Sequence, residues 1–111
     1  MSRNQFLGEF EQLILLAVAR CTEGAYGMAI RKEMEAKAGE SVSIGSVYAA
    51  LDRMERKGYV SSEVGDPSPT RGGRAKRFYY LETPAIEALE RARRRLDQFW
   101  DGVDLSSGAV G

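Results

Sequence analysis

Residues 42–81 pass from helical to strand spacing, and that change limits the folds open to the chain. The run Ser43-Ile44-Gly45-Ser46-Val47-Tyr48-Ala49-Ala50-Leu51-Asp52-Arg53-Met54-Glu55-Arg56-Lys57-Gly58 has helical spacing. Val47, Leu51 and Met54 recur on one side, while Ser46, Tyr48, Ala49, Asp52 and Arg53 fall away from it. Ser43 suits the N-cap, where its hydroxyl can accept an orphan N–H, and Gly58 suits the stop. Residues 59–64 are then aromatic and β-branched enough for a strand, and Arg77-Phe78-Tyr79-Tyr80-Leu81 reads as its return. Between them lies a loop dense in Gly, Pro, Ser and Asp. A helix feeding directly into a hairpin is therefore expected, with Tyr79 and Tyr80 on opposite faces of the returning strand.

The flanking segments supply the remaining helices. Residues 6–20 carry Phe6, Phe10, Leu13, Ile14, Ala17 and Val18 at three- and four-residue spacing, and Leu7, Leu15 and Leu16 widen the stripe. A stripe that wide has two readings: the middle of a monomer, or a helix shared between the domain core and a partner subunit. Cys21-Thr22-Glu23-Gly24 is a turn. A second helix is expected over residues 25–38, ended by Gly39, with Tyr26, Ile30, Met34 and Ala38 inward and Arg31, Lys32, Glu33 and Glu35 in water. The last helix starts at Thr83 as N-cap with Pro84 in its first position. Along it Ala85, Leu89, Ala92, Leu96, Phe99 and Val103 alternate by four and three, as the seam of a paired helix does, with Ile86 and Trp100 flanking. With only Ser- and Gly-rich residues after it, that seam is expected to pair with its copy in a second subunit. Arg91, Arg93, Arg94 and Arg95 form its solvated side. The expected organisation is residues 1–82 as a winged helix-turn-helix domain, including a first helix shared with the interface, 83–104 as a dimerisation helix and 105–111 as a disordered tail. The fold class is mainly α with a two-stranded β-wing.

Composition narrows the chemistry. A chain of 111 residues with 43% hydrophobic and 29% charged residues is one ordinary globular domain. No apolar run approaches the ~18 residues of a membrane span, and Met1-Ser2-Arg3-Asn4-Gln5 lacks a secretory layout. The one cysteine, Cys21, cannot close an internal disulfide, so a cytoplasmic location is expected, with a redox-sensing thiol as the minor reading. The sequence contains no histidine. This removes Ser-His and Cys-His nucleophile pairs and most zinc sites, so neither an enzyme nor a metal or cofactor is expected. The Gly72-Gly73 pair is no nucleotide loop, since no Gly-Lys-Ser/Thr follows it.

Net charge is zero, yet Arg71, Arg74, Lys76 and Arg77 place four cations within seven residues, and no acid interrupts them. Phosphates respond to the local field rather than to the sum. A cationic hairpin beside a helix bearing Ser, Tyr and Arg suits double-stranded DNA, with weak non-specific binding at physiological salt. Two rivals stand beside this reading. A winged-helix protein-interaction module would have no need of Arg71, Arg74 and Lys76 together, and an enzyme lacks visible parts.

At these residues the chain resembles the PadR-like transcriptional regulators, a family named for the phenolic acid decarboxylase repressor. The resemblance covers about residues 6–100. It rests on Ala25-Tyr26-Gly27-Met28, on the helix-to-strand run from Ser46-Val47-Tyr48 to Gly58-Tyr59-Val60, and on Gly72-Gly73-Arg74-Ala75-Lys76-Arg77-Phe78-Tyr79-Tyr80-Leu81. One departure is Thr83-Pro84-Ala85-Ile86, where the family often has Thr-x-x-Gly. The resemblance implies a homodimeric winged-helix repressor of the short type, bound to near-palindromic operators and often released by a small molecule or another signal.

The candidate DNA-binding residues are Ser43, Ser46, Tyr48, Ala49, Arg53, Arg71, Arg74, Lys76 and Arg77. Tyr48 either reaches DNA, the favoured reading, or packs on the wing. Ser43 is favoured as a cap and Ser46 as a DNA contact. Arg53 either meets phosphate or pairs with Asp52 or Glu55. Arg77 is expected on the face opposite Lys76. The candidate dimer interface is Phe6, Phe10, Leu13, Leu89, Ala92, Leu96, Phe99, Trp100 and Val103. Phe99 and Trp100 are either plain interface core or the lining of an inter-subunit pocket for a small aromatic effector.

Overall fold

The computed structural model describes residues 6–65 and 75–108, the side chains of 107 and 108 excepted. Helix α1 (Glu9–Arg20), α2 (Gly27–Ala38) and α3 (Ile44–Arg56) precede strands β1 (Val60–Val64) and β2 (Arg77–Leu81), and α4 (Thr83–Trp100) and α5 (Leu105–Gly108) follow. The strands pair antiparallel, Val60 opposite Leu81 and Val64 opposite Arg77. This is a winged helix-turn-helix with an added C-terminal helix. No helix among the described residues is long and apolar enough to cross a membrane.

Local chemistry accounts for the ends of α3. The Ser46 N–H donates to Ser43 Oγ at 3.0 Å, and the Ser43 hydroxyl donates to Ser46 Oγ at 2.8 Å. At the other end Gly58 adopts φ 82°, a left-handed conformation costly for other residues. That turn lets the Gly58 N–H reach the Glu55 carbonyl and the Tyr59 N–H reach that of Met54. This double closure satisfies two orphan carbonyls and aims the chain into β1. Gly39 ends α2 in the same left-handed region, as expected.

The core is one cluster. Ile14 and Leu15 of α1, Ile30 of α2, and Val47, Leu51 and Met54 of α3 have the largest fully buried side chains. Val60, Tyr79, Ala85 and Ala88 close it from the wing and from α4. Tyr79 is buried and Tyr80 is 47% exposed, the alternation that period two demands.

Several boundaries differ from the sequence expectation. Helix α1 begins at Glu9, not residue 6, because Gly8 before it is extended and favours a break. The Glu11 carboxylate accepts from the Gly8 N–H at 3.4 Å, the one half of a capping box that a glycine permits. Tyr26 is extended and lies outside α2, since its backbone is engaged in a bridge to Phe78, and Ala38 is exposed rather than inward. In α4 Glu82, not Thr83, is the N-cap, so Thr83 and Pro84 occupy the first two helical positions. The helix stops at Trp100 and Gly102 takes φ 78°, which leaves Val103 beyond the helix. Part of the tail expected to be disordered, Leu105–Gly108, forms the short helix α5, and Asp104 precedes it. The Asp104 carboxylate accepts from the N–H and the hydroxyl of Ser106, which lowers its pKa.

Two substitutions test this description by urea denaturation. Ser43→Ala should lower unfolding free energy by ~1 kcal/mol, the usual cost of losing a side-chain cap. Leu51→Ala, which empties a fully buried position, should cost ~2–5 kcal/mol.

Candidate nucleic-acid interface

Helix α3 hides Val47, Ala50, Leu51 and Met54 and leaves Gly45, Ser46, Tyr48, Ala49 and Asp52 exposed. The small residues near its N-terminus let a surface approach the backbone closely, and the hydroxyls offer donors there. Ser43 is taken up by the cap. Ser46 accepts from the Ser43 hydroxyl, which leaves its own O–H hydrogen available to donate.

Tyr48 is 46% exposed. It lies across Gly27 in the first turn of α2, where an added Cβ would overlap the phenol oxygen and sit 2.7 Å from Cε1. Gly27 was thus a packing residue that periodicity could not reveal. The available signal was a glycine in a helix where alanine is the better former.

Arg53 pairs with neither Asp52 nor Glu55. Its Nε lies 3.6 Å from Glu11 Oε2, and Lys57 Nζ approaches the same oxygen at 3.7 Å. Asp52 is taken by Arg56 at 3.1 Å, one turn along the helix. Glu55 is taken by the wing: the Ser62 hydroxyl donates to its carboxylate at 2.8 Å, and Arg77 Nη1 donates to Ser62 Oγ at 2.9 Å. A glutamate on α1 partnering α3 is a long-range contact invisible to i,i+4 reasoning.

The root of the wing is tied to the chain that enters α2. The Tyr79 N–H donates to the Ala25 carbonyl at 2.8 Å, and Tyr26 bridges Phe78. The Tyr26 and Phe78 rings meet edge to face at 5.9 Å. Lys76 Nζ stands 4.1 Å from the Tyr26 ring centre, a cation–π contact. Lys76 and Arg77 therefore hold to different supports, Tyr26 and Ser62, as strand alternation predicts. Arg71 and Arg74 lie outside the described residues. Tyr80 donates to Glu63 at 2.9 Å, and that bond raises its pKa.

The interface candidates divide. In α4 Ala85 and Ala88 are buried in the chain's own core and Leu89 and Ala92 are half-buried, but Leu96, Phe99 and Trp100 are exposed, Phe99 at 75%. Val103, past the helix, is exposed with them. Phe6 is exposed, and the Arg95 guanidinium stacks 4.2 Å from its ring centre. Phe10 is half-buried, while Leu13 borders an apolar groove between α1 and α2 together with Leu16 and Met34. Phe99 and Trp100 line, with Leu96, Val103 and Leu105, a depression of about 210 Å³. That is below the ~300–1,000 Å³ of ordinary ligand pockets, so this depression by itself is small for an effector. Cys21 is half-buried; burial first, then the Glu33 carboxylate, raise its thiol pKa, which disfavours the reactive thiolate. Among the described residues no cluster of acids and cysteine could hold a metal ion.

Comparison with known proteins agrees with this architecture. Residues 14–85, more than half the chain, match the Transcriptional regulator PadR-like family. A PadR family transcription regulator from hypervirulent Clostridium difficile R20291 superposes with a TM-score of 0.67 at 25% identity, over 85% of this chain and 96% of that one. The complex structure of hsRosR-S4 gives 0.67 at 26% identity, over 88% and 77%. A PadR-like transcription factor from Bacteroides fragilis, 22% identical, shares the fold with a TM-score of 0.69 over 83% and 84%. No functionally curated protein matches the sequence. A regulator family accounts for the exposed face of α3 and the wing beside it, and it makes the chain a regulator rather than an enzyme: it belongs to the PadR-like family of transcriptional regulators.

Proposed function

We propose that the chain acts as a homodimeric repressor in the cytoplasm, binding a near-palindromic operator and released by a small aromatic molecule or another signal. The observation that carries the dimer is the exposed apolar strip Leu96, Phe99 and Trp100 on α4, continued by Val103. Helices of this kind bury such strips against a partner, and large contiguous apolar patches are uncommon on monomers. The radius of gyration, 17.1 Å, supports this, since a compact domain of about 100 residues has ~13 Å. Residues 1–82 then serve as the DNA-binding domain and 83–104 as the dimerisation segment, with Phe6, Phe10 and Leu13 of the N-terminal region adding to the interface.

Two-fold pairing presents two α3 helices to successive major grooves, ~34 Å apart. Tyr48, Ala49 and Ser46 meet base edges or the adjoining backbone, and Ser43 holds the helix end in shape. Lys76 and Arg77, with Arg71 and Arg74 in the hairpin loop, meet phosphates. Arg53 is shared with Glu11, so its phosphate contact is the weaker part of this set. Pairing Phe99 and Trp100 with their copies doubles the apolar walls of the small depression at the end of α4, which gives an aromatic effector room between subunits.

Two experiments test the reading. Leu96→Asp with Phe99→Asp should yield a monomer by analytical ultracentrifugation at micromolar concentration, with the helical circular dichroism retained; a wild-type chain that is itself monomeric there refutes the dimer. On a duplex selected from a random library by the purified protein, ~6–10 phosphate contacts should cost ~10³–10⁵ in affinity between 50 and 200 mM salt. Lys76→Ala should weaken all duplexes alike and reduce the log–log salt slope by ~1. An unchanged slope removes Lys76 from the phosphate contacts.

A further inference from the structure

Neither backbone conformation nor helix propensity calls for glycine at position 27. Gly27 is not among the positive-φ glycines, so its backbone is ordinary helix that any residue adopts. Glycine there lowers helix propensity, and alanine would raise it. Space is what excludes a side chain: a methyl group would overlap Tyr48 Oη and Cζ and stand 2.7 Å from Cε1. The Tyr48 hydroxyl makes no hydrogen bond to any described residue. The phenol end of the ring therefore sits against Gly27, in space that a side chain there would fill.

We propose that Gly27 is a positioning residue for DNA recognition, seating the Tyr48 ring against α2 so that its hydroxyl is presented to the duplex in one orientation. The inference rests on the reading above in which Tyr48 touches DNA. It adds a residue on a different helix, one that itself meets no DNA. Two neighbours give the seat its leverage. Ala25 and Tyr26, immediately before Gly27, hold β2 through the Tyr79 N–H and the Phe78 ring. Three consecutive residues thus set both the wing and the aromatic of the recognition helix, and a shift of the Tyr48 ring changes its position relative to the wing cations. The obstructing atoms belong to the far end of a half-exposed side chain. In Gly27→Ala the ring swings away and the fold survives.

The test compares wild type, Gly27→Ala, Tyr48→Ala and the double variant on a duplex selected from a random library by the wild-type protein, with a scrambled duplex of equal length beside it. Gly27→Ala should weaken the selected duplex by about tenfold, the scale of one hydrogen bond to a charged group, and leave the scrambled duplex and the melting temperature little changed. In the Tyr48→Ala background Gly27→Ala should cause no further loss, since the ring it displaces is gone. Losses that multiply in the double variant, or a Gly27→Ala protein that binds as wild type although Tyr48→Ala is impaired, overturn this proposal alone. A Tyr48→Ala protein that binds as wild type overturns it together with the recognition-face assignment. Should Gly27→Ala unfold, the double variant must still melt like Tyr48→Ala; its failure to do so overturns the proposal.

Discussion

The junction Ala25-Tyr26-Gly27 carries the geometry on which the rest of the domain depends. The Ala25 carbonyl accepts from the β2 backbone, Tyr26 meets Phe78 through both backbone and ring, and Gly27 admits Tyr48. A two-stranded hairpin is marginal by itself in water. Here the bridge at Tyr26 acts as a third edge and burial of Tyr79 supplies the apolar anchor, so the wing stands at a defined angle to α3. The same three residues also start α2 without a side-chain cap. Tyr26 is committed to the wing instead, a trade of local helix stability for the placement of a neighbouring element.

Electrostatics in this chain sets position more than stability. The described ion pairs are all at least partly exposed, and such pairs contribute little each. Their arrangement matters more. Glu11 gathers Arg53 and Lys57 at the C-terminal part of α3, and Glu55 gathers Arg77 through Ser62. Cations on and beside the recognition helix are thereby partly neutralised from within. That accords with a zero net charge.

Most of the fold was legible from period and punctuation. Ser43 and Gly58 bounded the third helix because capping is a local event, settled within four residues. Tyr79 and Tyr80 divided between core and surface because a strand alternates. Errors gathered where a distant partner intervened. Tyr26 belonged by spacing to a helix face, but Phe78, far along the chain, drew its backbone into an extended bridge. Val103 kept the rhythm of a seam, yet Gly102 had already ended the helix. Arg53 had two acids nearby in sequence and took a third, from α1.

The winged-helix architecture was readable in the linear order of helices and hairpin, and the family in the resemblance carried by residues 25–28, 46–60 and 72–81. Which side chains meet was decided only in three dimensions. Tyr48 against Gly27, Glu11 against Arg53 and Tyr26 between Lys76 and Phe78 all join residues at least 20 positions apart. Periodicity assigns a face to each residue but cannot say which other face it will meet, since that is settled by how the helices cross around one buried core.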